Sequence, residues 1–207
     1  IALILFILMS VIHFGLCDWS YLGLKKYKWS VSLTHGLNIV FGIIFFHTNE
    51  TFEIFTFLSN LSFNQFQEYL YIVYICYFFL LIRYAYLAIK FTRLRWGILE
   101  MSIILLVIFL TEPLVAFSIY FCFIHTFKHV KSILKDTSKY LSNNKFITIT
   151  TISFTILTWV GGSLAIIYLH KSFSFDESFI KTLFIGLAAL TLPHMTLVDI
   201  FYRRKFN

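Results

Sequence analysis

Two histidines four residues apart, His125 and His129, are the pair in this 207-residue chain best spaced to do chemistry. On a helix, residues i and i+4 project from one face, so both imidazoles can reach one cation. Neutral imidazole suits iron, zinc, copper and nickel. His13, His35 and His194 sit in other apolar runs. An imidazole in an apolar helix is unfavourable without a partner, and helix bundles assemble metal sites from side chains on facing helices. A plainer alternative stays open for each of them: a hydrogen-bonded helix residue or, for the pair, a face turned to water at a membrane edge. Aromatic residues lead into the pair through Phe117-Ser118-Ile119-Tyr120-Phe121-Cys122-Phe123. Such rings can line a slot for a long apolar ligand, or simply face lipid. Cys17, Cys76 and Cys122 form no CxxC pair and read as small hydrophobes. Glu100 and Arg83 lie within or near apolar runs, where an internal ion pair competes with a snorkelling arginine.

The elements that must position these residues are apolar helices. Hydrophobic residues make up 59% of the chain and charged residues only 13%, against roughly 25% in a soluble domain. That surplus of apolar surface implies lipid as the solvent. Apolar runs cover about residues 1–16, 31–46, 69–89, 98–110, 114–129, 147–169 and 179–201. The reading is an all-α, polytopic transmembrane bundle of about seven helices, forming one integral membrane domain over residues 1–207. The first run is already apolar at Ile1, so the expectation is a chain lacking an N-terminal helix, with eight in the complete protein.

Loop charge orders the helices. Lys25, Lys26 and Lys28 mark the first loop as cytoplasmic, and Glu50, Glu53 and Glu68 mark the second as the opposite side. Lys90, Arg93 and Arg95 follow, then Lys131, Lys135, Lys139 and Lys145, and last the tail Arg203-Arg204-Lys205. Basic and non-basic loops alternate only if Glu112-Pro113 reverses the chain. A single helix over residues 98–129 would also be about 48 Å long, more than the ~30 Å hydrocarbon core needs. Proline removes a backbone donor and biases Glu112 away from helix, so two helices joined by an outer turn are expected, with Glu112 serving the turn. This topology places His13, His35, His125, His129 and His194 in one cytoplasmic layer, and His47 and His170 at the opposite face.

The net charge of +7 is spread over these short loops. No separate basic domain, RNA-binding signature or Gly-rich phosphate loop accompanies it, which argues against nucleic acid as a partner.

The sequence resembles the Brp/Blh family of membrane β-carotene 15,15'-dioxygenases. The resemblance is carried by Ile12-His13-Phe14-Gly15-Leu16-Cys17-Asp18 and Thr34-His35-Gly36. It continues in Pro113-Leu114-Val115 through Tyr120-Phe121-Cys122-Phe123-Ile124-His125 with His129, and in Phe184 through Pro193-His194-Met195 with Asp199 behind. It runs in consistent order over almost the whole chain. It implies a non-haem iron dioxygenase that splits the central double bond of β-carotene with O2 into two retinal molecules, with Fe(2+) as cofactor. His13, His125 and His129 match three ligand positions. The family's fourth ligand lies in a Pro-His-Gly motif on an earlier helix, which is not among these residues. His35 and His194 match other family histidines and are expected near the site, His194 as the best substitute ligand. Phe117, Tyr120 and Phe121 are expected to line the substrate pocket. The resemblance further implies a multi-pass protein of the inner (cytoplasmic) membrane, surrounded by lipid and passing retinal to a retinal-binding protein. Two rival readings remain. A histidine-box desaturase or hydroxylase needs more clustered histidines than one HxxxH, and a haem-binding or structural subunit needs only paired ligands.

Overall fold

In a computed structural model of the chain, residues 2–19, 22, 25–59, 62–137 and 144–206 are described. They are helical, without a strand among them: α1 (Ala2–Asp18), a short 3-10 turn (Lys25–Tyr27), α2 (Lys28–Phe46), α3 (Thr48–Leu58), α4 (Phe63–Lys90), α5 (Thr92–Leu110), α6 (Pro113–Ile119), a π-helical segment (Tyr120–His125), α7 (Thr126–Thr137), α8 (Asn144–Leu169) and α9 (Phe175–Phe206). Each apolar run of the sequence has become a helix. Among the described residues, four stretches are long and apolar enough to cross a membrane: Lys25–Phe46, Phe66–Lys90, Pro113–Lys131 and Thr148–Leu169. Helix α1, at 17 residues, is shorter, and α5 carries Arg93, Arg95 and Glu100 within its 19. The architecture is a helical membrane bundle.

Two differences from the sequence reading have physical causes. The second loop is helical over α3, an element disguised by Glu50 and Glu53. Phe55 of α3 packs edge-on against Phe66 of α4 (centroids 5.8 Å apart), so α3 closes one end of the α2–α4 pair. The fifth run is not a uniform α-helix, because a π segment interrupts it over six residues. There the Thr126 N–H and hydroxyl both reach the carbonyl of Phe121, five residues back.

The chain divides into two compact units, residues 1–135 and 136–207. In the first, α2 is the central helix, packed on α1, α4, α5 and α6. Helices α1 and α2 touch backbone to backbone. A Cβ at Gly15 would collide with the Ser32 carbonyl, and one at Gly36 with that of Val11. Small residues allow this close crossing, which in lipid must hold by packing and hydrogen bonds. Asn38 ties α2 to both neighbours: Tyr77 of α4 donates to its Oδ1 (2.6 Å), and its Nδ2 donates to the Met101 carbonyl of α5 (3.4 Å).

The hairpin read from loop charge is present. Helix α5 stops at Leu110, Thr111 and Glu112 are extended, and Pro113 opens α6. Proline is suited to the first helical position, where its missing N–H is not needed. Glu100 of α5 then faces Lys128 of α7 at 3.5 Å, as an antiparallel pair requires. At the other end of α2, His47 donates from Nε2 to the Ile108 carbonyl (2.8 Å). The second unit is a hairpin of α8 and α9 joined at residues 170–174. Apolar side chains of α8 such as Phe154, Trp159 and Leu164 are exposed, as lipid-facing residues would be.

Candidate active site

Three histidines, one each from α1, the π segment and α7, meet inside the first unit. His13 projects from α1, and the α1–α2 glycine crossing two residues later fixes its place. His125 ends the π segment and His129 follows on α7. The His13 and His125 rings are 5.1 Å apart, centre to centre and edge to face. Those of His125 and His129 are 5.8 Å apart and parallel to within 5°. His13 and His125 are buried, and the ring nitrogens of His129 are shielded from solvent.

The i, i+4 spacing extends further back than the pair. Phe117 stacks on Phe121 at 5.6 Å, Phe121 on His125 at 5.4 Å, and His125 on His129. One helix face thus carries a ladder of two phenyl rings and two imidazoles. Phe14 closes the other side, 5.0 Å from His125 and 5.3 Å from Tyr120. Tyr120 itself points elsewhere: it is buried, and its hydroxyl donates to the Asp18 carboxylate.

Asp18 is a member of this cluster that the spacing of histidines missed. It ends α1 with 2% of its surface exposed, and both carboxylate oxygens face His125 Nδ1, at 3.0 and 3.1 Å. A buried acid closing an apolar run five residues after His13 was the available signal, since a charge there requires a partner. Lys128 gathers nearby groups from outside. Its ammonium reaches the Asp18 backbone carbonyl (3.4 Å), pairs with Glu100 and lies 4.3 Å from the Trp19 ring.

His35 is not in the imidazole cluster. It is fully buried, stacked at 3.6 Å on Trp19, and paired through Nε2 with the Tyr84 hydroxyl at 3.0 Å. The Tyr84 proton goes to the Leu94 carbonyl (3.2 Å), which makes His35 the donor to Tyr84. Gly97 leaves the room this pair needs, since a Cβ there would meet the Tyr84 hydroxyl and the His35 ring. His194 lies in α9, and its side chain is outside the described residues.

The three imidazoles can be tested for fit to one cation. At a metal–nitrogen distance of about 2.0–2.1 Å, two imidazoles sharing an ion bring their ring centres to roughly 4.5–5.5 Å. His13 and His125 meet that spacing, and His125 and His129 exceed it by a few tenths of an ångström. As the side chains stand, no three metal-ligating groups among the described residues converge on one point. The donor chemistry fits and so does the His13–His125 spacing, and for the third donor to converge the His129 ring must turn out of its parallel stack.

Apolar helices around a buried imidazole cluster define a class, the helical membrane proteins with a histidine site. The chain belongs to the β-carotene 15,15'-dioxygenase family, whose model matches residues 1–202. It is 29% identical over 202 residues to a Beta-carotene 15,15'-dioxygenase of Uncultured marine bacterium 66A03, with 98% of this chain and 72% of that protein covered. No solved structure matches it. By family the chain is an enzyme, a carotenoid-cleaving dioxygenase, which sets aside the desaturase and haem-subunit readings.

Proposed function

We propose that this chain cleaves the central 15,15' double bond of β-carotene with O2, giving two retinal molecules, at ferrous iron held by His13, His125 and His129. The overall reaction balances: one C=C bond breaks, and each carbon receives one atom of O2. The observation that carries the reading is the gathering of these three imidazoles beside a stacked phenyl ladder, in a chain of this family.

Bound iron would supply the one-electron chemistry through which O2 reacts with a closed-shell polyene. The chain's residues do the rest. His13, His125 and His129 would hold the ion with neutral nitrogens and leave positions open. Phe117, Phe121 and Phe14 present flat apolar surface beside them, suited to a rigid polyene and hostile to water. Holding one double bond of an extended chain beside the cluster is a positioning task, and positioning alone is worth several orders of magnitude in rate. The substrate and O2 both dissolve in the lipid around the bundle, and retinal leaves into the same phase, to be taken up by a retinal-binding protein. The inner (cytoplasmic) membrane, with the histidine cluster toward its cytoplasmic face, is the location favoured by the basic loops.

Expression in a bacterial host that accumulates β-carotene, with chromatography of the extracted pigment, tests the reading. Retinal with matching loss of β-carotene supports it. Paired apocarotenals of unequal length would overturn central cleavage.

A further inference from the structure

We infer that Asp18 is a positioning residue, held in turn by Tyr120, that keeps the proton of His125 on Nδ1 by accepting its hydrogen bond and so leaves Nε2 as the nitrogen that coordinates. This deepens the proposed metal site and rests on that reading.

Asp18 is poorly placed for its own sake. It is a carboxylate in the last turn of α1, where the helix dipole disfavours negative charge, and it is almost entirely buried. Burying an unpaired charge is strongly unfavourable, so its partners must offset both effects. Those partners are specific. His125 Nδ1 sits nearly equidistant from the two oxygens, at 3.0 and 3.1 Å, as expected for an N–H shared by a carboxylate. The Tyr120 hydroxyl donates to Oδ2. The carboxylate is therefore gripped from two positions of the π segment, its first residue and its last.

That arrangement explains the π segment. In a regular α-helix, residues 120 and 125 are five apart and point in different directions, whereas the wider turn brings both onto Asp18. π-Segments within α-helices recur at functional sites. The consequence for His125 is chemical. An acceptor at Nδ1 places the proton there, and the lone pair is then available only at Nε2. Metal-bound histidines usually show this pattern, in which the distal nitrogen donates to a carboxylate that orients the ring and raises its basicity. The loss of such an outer partner typically weakens metal affinity 10–100-fold.

Two readouts test the inference. The first is the His125 tautomer in metal-free, ¹⁵N-histidine-labelled protein in micelles, with the resonances assigned by loss in His125→Gln. Protonated Nδ1 is expected, and an Nε2–H neutral ring would overturn the proposal whatever the metal does. The second is affinity for Co(2+), a spectroscopic stand-in for ferrous iron, in Asp18→Leu, Asp18→Asn and His125→Ala. Asp18→Leu should bind about 10–100-fold more weakly. Asp18→Asn, which keeps an acceptor for Nδ1–H, should recover most of that loss and serves if the leucine variant does not fold. Unchanged affinity in Asp18→Leu, or a loss as complete as that of His125→Ala, would overturn positioning, the latter by making Asp18 a ligand itself. If His125→Ala binds Co(2+) like the parent, the metal reading has failed, and the tautomer measurement alone decides the role of Asp18.

Discussion

Replacing Gly15 by alanine should disable the enzyme while leaving its helices intact. The added Cβ would lie 2.6 Å from the Ser32 carbonyl carbon and 3.2 Å from its Cα, where ordinary contact begins at 3.4 Å. The obstacle is backbone, so no rotamer change relieves it, and α1 and α2 must part by more than about 0.8 Å, because the Ser32 carbonyl oxygen lies closer still than its carbon. His13 is two residues away on α1 and moves with it, whereas His125 and His129 belong to the π segment and α7. A displacement near 1 Å at a catalytic group can lower the rate on the order of 10²-fold. Overpacking of this kind also destabilises by roughly 1–3 kcal/mol. The assay is retinal formed per unit of purified protein, with circular dichroism and a thermal melt alongside. Two controls isolate the cause. Gly42→Ala meets only the mobile ends of Leu105 and Ile108, and Gly161→Ala meets nothing described within 4 Å. Both should keep activity, and Gly161→Ala in α8 should gain up to ~1 kcal/mol of helix stability. Gly15→Ala with activity within threefold of the parent would refute the claim that this crossing sets the geometry of the site.

Asn38→Leu should cost about 1–3 kcal/mol, because it strands the Tyr77 hydroxyl and cuts the link from α4 through α2 to α5, and a thermal melt in detergent reads this. Tyr84→Phe should cost a similar ~1–3 kcal/mol, by leaving the fully buried His35 without its hydroxyl partner. Glu100→Gln should shift stability by no more than about 1 kcal/mol, since its pair with Lys128 is 3.5 Å long and partly exposed. Treatment with a ferrous chelator should abolish retinal formation, and Fe(2+) should restore it where redox-inert Zn(2+) does not.

Much of this arrangement is readable in the chain because lipid leaves few choices. Apolar runs must become helices to satisfy their backbone, so the seven runs located them. Alternating loop charge with Glu112-Pro113 located the α5–α6 hairpin. Helix α3 escaped because a short, acid-bearing amphipathic helix looks like a loop when only apolarity is scanned. The π segment leaves no periodic mark over six residues, and with it went the pairing of Tyr120 to Asp18. Tyr120 looked like pocket lining because its type is aromatic, yet the direction of its hydroxyl depends on that local widening. His35 shared a depth with the cluster, but Trp19 occupies the face that would have joined it. Depth along a helix is legible from sequence, whereas rotation about the helix is set by neighbours that the sequence does not reveal.

The most direct test of the histidine-held site measures iron per chain and retinal from β-carotene in the same purified preparations, for the parent and for His13→Ala, His125→Ala and His129→Ala. The account predicts bound iron and retinal in the parent, and loss of both together in each variant. A variant that keeps its iron and still forms retinal would contradict the assignment of that histidine, and three such variants would contradict the site.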